Sequence, residues 1–129
     1  MALLSRVADR MYWAARYIER AEDSARVLRA YGDVLADLPT GSTRWSPLVT
    51  ISGNGVKLPA VSGSDESQVA QFLIAEREHP DSILNAVDRS RDDLRTCREV
   101  LPREAWQTIN DLSIYVRGAA VTSVERRRR

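Results

Sequence analysis

Residues 4–35 read LSRVADRMYWAARYIERAEDSARVLRAYGDVL, and their spacing decides the fold. Steps of three and four lead through Leu4, Val7, Met11, Ala14, Ile18, Ala21, Ala25, Leu28, Gly32 and Leu35 without a break. Nine of these ten are apolar and the tenth is glycine, so one face carries a sustained heptad seam of small and aliphatic side chains. Small side chains let a partner helix come close. No proline interrupts the run before Pro39, which predicts one long helix from about Leu3 to Leu38.

Residues 39–63 change character. Pro39, Gly41, Pro47, Gly53, Gly55, Pro59 and Gly63 punctuate them, which reads as loop. Within it, Ser46 followed by Pro47 has the form of an N-cap and first helical position, and predicts a short helix over 47–52. The β-branched Val49, Thr50 and Ile51 would suit a strand, but no second strand pattern is at hand to pair with it. A second helix is expected from Ser64-Asp65 to about Glu78, with Val69, Phe72 and Leu73 as its apolar stripe. After Pro80, Asp81 or Ser82 caps a third helix to about Val100, striped by Ile83, Val87, Leu94, Cys97 and Leu101. Pro102 opens a fourth, with Ala105, Ile109, Leu112, Val116 and Ala119 on one face. The expected fold is all-α: an antiparallel bundle of one long and three shorter helices in a single domain over 1–125, followed by a basic tail at 126–129.

Composition narrows the classes. The 129 residues suffice for one core. Aromatics make up only 6%, so that core must be aliphatic and alanine-rich. No apolar run approaches the roughly 18 residues of a membrane span, and Arg6, Asp9 and Arg10 interrupt any signal-peptide core. A single cysteine, Cys97, fits a reducing cytoplasm. The net charge of +1 owes everything to Arg126–Arg129; without them fifteen basic residues face eighteen acidic ones. A nucleic-acid-binding domain carries its basic stripe on the folded face, so nucleic acid is not an expected partner.

The chemistry-bearing side chains are few. One histidine, His79, and one cysteine cannot make a zinc site, and no Glu-x-x-His pair suggests a carboxylate-bridged metal; neither metal nor cofactor is expected. Cys97 lies on an apolar stripe and reads as core, whereas His79, just before Pro80, reads as an exposed joint. No phosphate-binding glycine loop is present; Ser52–Gly55 reads as a turn. The informative segment is 16–26, where Arg16, Glu19, Arg20, Glu22, Asp23 and Arg26 crowd three turns of the first helix. They could pair among themselves on a solvated face. Alternatively, they could line a cleft with the third helix, whose Arg91, Arg95 and Arg98 form a cationic stripe. Glu19 or Glu22 would then meet Arg91 or Arg95, and an unpaired arginine could grip a carboxylate or phosphate. The ionic candidates are therefore Arg16, Glu19, Arg20, Glu22, Arg26, Arg91 and Arg95, with no catalytic residue assigned. Glu19 borders the seam residue Ile18, so it is expected to pair with Arg16, Arg91 or Arg95.

The chain resembles the alpha-E domain family, bacterial all-α proteins named for their helices and a Glu-Arg motif. The resemblance rests first on residues 4–13 and on Arg16-Tyr17-Ile18-Glu19-Arg20-Ala21-Glu22 with Ala25-Arg26, where Glu19-Arg20 is the motif pair. A softer block follows at Pro80–Ile83, Ser90–Arg95, Glu104–Trp106 and Asn110–Leu112. The resemblance implies an N-terminal portion or shortened member, since the family's chains run longer and carry a second such helix. It further implies an accessory or binding module working with an ATP-grasp-type ligase in peptide synthesis or modification.

Two other functions compete with it. One is an enzyme of amide-bond chemistry using an Arg/Glu cleft between the first and third helices; the other is a purely structural, oligomerising helical protein. The long seam exceeds what three shorter helices can cover, which predicts self-association or a partner protein.

Overall fold

The computed structural model describes residues 2–39, 45, 47, 48, 51 and 66–128, and of 2, 3, 67 and 121–128 only the backbone. Four helices account for nearly all of it: α1 (Ala2–Ala36), α2 (Glu66–Ala75), α3 (Ile83–Thr96) and α4 (Arg103–Arg128), with a 3-10 turn at Arg98–Val100. Among the described residues there is no strand. Pro47, Leu48 and Ile51 are helical, as expected of the short helix there; Ser46, the turn at 52–55 and the start of the second helix at 64–65 lie outside the described residues. α4 runs through Arg128, so the backbone of the basic residues 126–128 is helical.

The helix ends follow local chemistry. α1 closes through hydrogen bonds from the Asp37 and Leu38 amides to the carbonyls of Val34 and Leu35, both 3.3 Å, just before Pro39. α2 stops at Ala75, three residues short of the expected end. The side-chain amide of Asn85 gathers the carbonyls of Glu76, Arg77 and His79 at 3.2, 2.9 and 2.8 Å and holds that segment in a turn. Ser82 caps α3, its Oγ accepting from the Asn85 amide at 3.2 Å. Pro102 opens α4 and accepts from the Ala105 amide at 3.1 Å.

α3 is the axis of the molecule. α1 runs antiparallel to it, pinned by Arg10–Asp93 at 3.0 Å, Ser90 Oγ donating to the Ala14 carbonyl at 2.9 Å, and Arg20–Asp81 at 3.3 Å. Ala14, Ala86 and Ser90 are all buried, so small side chains set this close crossing. α4 packs on another side of α3, and the core there comprises Ala21, Leu84, Ala86, Val87, Ile109 and Val116. A second core gathers Leu35, Trp45, Leu48, Val69, Phe72 and Leu73, tying α1 to α2. Gly32 serves that core: a Cβ there would meet the Trp45 ring at 3.3 Å, so only glycine lets the indole lie against α1 without a shift.

The seam is only partly closed. Ala14, Ala21 and Leu35 are buried, whereas Leu4 is 72% exposed and Met11 41%. For Leu4 the reason is the length of α3: its 14 residues span about 21 Å, against about 52 Å for the 35 residues of α1. No described helix is long and apolar enough to cross a membrane.

Candidate functional site

The ionic residues of α1 part company. Arg16 bonds Glu19 at 3.4 Å and Arg26 bonds Glu22, both within the helix. The side chain of Glu19 is 65% exposed, so the pairing with Arg16 is the one that forms. Arg20 reaches across to Asp81 at the α3 entrance. Arg91 turns away from α1: its Nε donates to Asn110 Oδ1 at 2.7 Å and its guanidinium lies 5.6 Å from the centre of the Trp106 ring. Arg98 stacks on the same ring at 5.3 Å, and Arg95 is exposed with no acidic partner among the described residues. The structure therefore brings neither Glu19 nor Glu22 to Arg91 or Arg95, and the Arg/Glu cleft between the first and third helices does not form. The stripe of α3 that faces α1 passes through Ser90, one residue round from Arg91.

A tighter ionic knot lies elsewhere. Asp88 accepts from Arg77 at 2.9 Å, Arg117 at 3.0 Å and the buried Ser113 hydroxyl at 3.3 Å, joining the α2–α3 turn, α3 and α4. Burial alone would raise its carboxyl, but the two arginines outweigh it and hold it below the usual carboxylate range. The spacing of 77, 88 and 117 gave no sign of this knot, because three separate elements supply it. Asp88→Ala strands two arginines and a hydroxyl, and should cost about 1–2 kcal/mol in urea denaturation. Glu19→Ala should cost under about 0.5 kcal/mol in the same experiment, as befits an exposed pair. A Glu19 loss above 1 kcal/mol would mean that the pairing is not a surface one.

His79 is not an exposed joint. It is 1% exposed and stacked on Phe72, with ring centroids 4.6 Å apart and planes 8° apart. The aromatic partner on α2 covers it, and only the tertiary structure brings that partner. Its Nδ1 has no hydrogen-bond partner among the described residues. Burial pushes its pKa below the ordinary 6.5, partly offset by Asp81 and Glu76. Cys97 is core as expected, 3% exposed, with burial pushing its thiol up. All of α3, about 21 Å, lies between the two, so no Cys–His dyad exists. The described residues hold no cluster of three or more potential metal ligands.

Open hollows remain, one of about 350 Å³ lined by Arg6, Val7, Arg10, Thr96 and Cys97. α1 and α4 hardly touch, and between them runs an apolar groove of about 510 Å³. It is lined by Ile18, Glu22 and Ala25 of α1, Leu112 and Tyr115 of α4, and Ile83 and Val87 of α3, among others. At the other end, on the N-terminal half of α1, a smaller cleft of about 290 Å³ is lined by Asp9, Arg10, Trp13, Tyr17 and Asp93. The groove and the smaller cleft are concave surfaces on an all-helical domain. The family model that matches the chain is Alpha-E, described as a predicted alpha-helical domain with a conserved ER motif, over residues 3–128. The chain belongs to the Alpha-E family. No curated protein and no solved structure matches it.

Proposed function

We propose that this Alpha-E domain is an accessory binding module of the bacterial cytoplasm. Its partner on this reading is an ATP-grasp-type ligase of peptide synthesis or modification. The observation that carries it is the groove: an apolar channel flanked by the half-open helix α4, whose Tyr115 is 74% exposed and Leu112 37%. Exposed apolar surface of this kind, rimmed by charges such as Glu22 and Arg26, is the ordinary signature of a protein-binding face. The link to a ligase comes from the family resemblance, and the single buried cysteine suits a reducing compartment.

The test is co-purification with an ATP-grasp-type ligase encoded beside the domain, alongside a Leu112→Glu/Tyr115→Glu variant. The wild type should co-elute with the ligase in size-exclusion chromatography, and the variant should elute alone with an unchanged far-UV spectrum. A ligase that ignores the wild type, or binds the variant equally, overturns the reading. Sedimentation of the domain alone shows whether a second copy takes the groove instead.

A further inference from the structure

The cleft on the N-terminal half of α1 has a composition of its own. Asp9, Trp13 and Tyr17 follow one another at steps of four, so a carboxylate, an indole and a phenol stand one turn apart on one face. Tyr12 meets the Trp13 ring edge-on at 5.5 Å and 83°, and Trp13 tilts against Tyr17 at 6.1 Å and 35°. From α3 comes Asp93, paired with Arg10 of α1; Arg89 of α3 also reaches Tyr17, its guanidinium 5.6 Å from the centre of the ring.

These groups differ in what they have left to offer. Arg10 is engaged by Asp93, and Tyr17 already carries a cation. Asp9 is exposed and has no ion pair or hydrogen bond to a described residue, and Trp13 is 42% exposed. Beside the cavity, then, stand an unspent negative charge and an aromatic ring that is still open. A ring face is the negative pole of the indole quadrupole, and a carboxylate one turn away reinforces it. Guanidinium satisfies both at once, lying flat on the ring while its N–H fork meets the carboxylate. The fold makes the first half of that contact three times itself, with Arg89 on Tyr17 and with Arg91 and Arg98 on Trp106. At about 290 Å³ the cavity falls at the small end of ligand sites and suits one side chain better than a large molecule.

We infer that the Asp9–Trp13–Tyr17 cleft is a binding site for a cationic side chain, specifically the guanidinium of an arginine in a peptide. The site stands whether or not the domain works beside a ligase, since it lies away from the α1–α4 groove. The probe is N-acetyl-arginine amide, with the neutral urea isostere N-acetyl-citrulline amide as control. The readout is the indole N–H signals in a ¹H–¹⁵N spectrum, that of Trp13 assigned by its loss in Trp13→Phe. Arginine amide should shift the Trp13 signal saturably, with a Kd on the order of 1–10 mM, and leave that of the buried Trp45 in place. Citrulline amide should not shift it. Asp9→Asn should weaken binding about tenfold, corresponding to about 1.4 kcal/mol. A Trp13 signal that ignores arginine amide, an equal response to citrulline amide, or an unchanged midpoint in Asp9→Asn would each overturn the assignment.

Discussion

Ser90→Leu should destabilise the domain by about 3 kcal/mol, the largest loss expected of any single change outside the two hydrophobic cores. Ser90 is 0% exposed, and its hydroxyl donates to the Ala14 carbonyl at 2.9 Å where α1 and α3 cross. Ala14 itself is 2% exposed and Ala86 2%, so no neighbouring side chain is long enough to swing away and make room. Forcing a large side chain into such a contact costs about 1–3 kcal/mol, and the lost hydrogen bond adds about 1. Ser90→Ala separates these two contributions. It removes the hydrogen bond and keeps the approach, so it should cost only about 1 kcal/mol. Against a total stability of about 5–15 kcal/mol, the difference between the two variants is easily read from urea midpoints. Equal losses in both would mean that the helices do not meet as closely as the Ser90–Ala14 contact requires. Since α1 is held to the rest mainly by α3, Ser90→Leu should also loosen the cleft around Trp13. The indole signal of Trp13 is a second readout.

The same crossing explains what the sequence could and could not convey. The heptad seam announces a long helix because period and packing face are local properties, and Ala14 and Ala21 are buried as that pattern requires. How far the seam is covered depends on the length of the partner, and Leu4 stays exposed because α3 ends before reaching it. In the sequence pattern Glu19 borders the packed face through its neighbour Ile18. One residue turns a helix by about 100°, and Glu19 swings into solvent towards Arg16. The stripe Arg91–Arg95–Arg98 is real, but its first and last members stack on Trp106 of α4, a partner 8 to 15 residues further along the chain. Asp9, Trp13 and Tyr17 stand at i, i+4 and i+8 in the sequence, but that spacing alone names no cleft. What gives it meaning is that α3 has already spent Arg10 and Tyr17, and a one-dimensional pattern does not contain that. His79 shows the converse error: a residue before proline in a joint looks solvated until an aromatic ring from another helix closes over it.

That histidine should make the fold acid-sensitive well above the range in which carboxylates titrate. The chain has a single histidine, so between about pH 5 and 7 its side chains offer one group whose ordinary pKa falls there. Desolvation lowers the pKa of His79 in the folded state, while Asp81 and Glu76 oppose the shift without cancelling it. The unfolded chain then takes up the proton more readily than the folded one. Stability is complete above 6.5, the ordinary value, and declines as the pH falls below it, until the folded form also binds the proton. The structural cost falls on the joint, where an imidazolium would be shut away from water with its Nδ1–H unpartnered by any described residue. Urea midpoints at pH 7.5 and pH 5.5 measure the effect. The wild-type midpoint should drop between the two, and that of His79→Phe, which keeps a flat ring against Phe72, should barely move. A wild-type midpoint that holds steady across the interval would show that His79 binds protons equally well in both states. A variant that keeps the wild-type slope would assign the sensitivity to the carboxylates, of which Asp88 is held low by its arginines and gives way only at more acid pH.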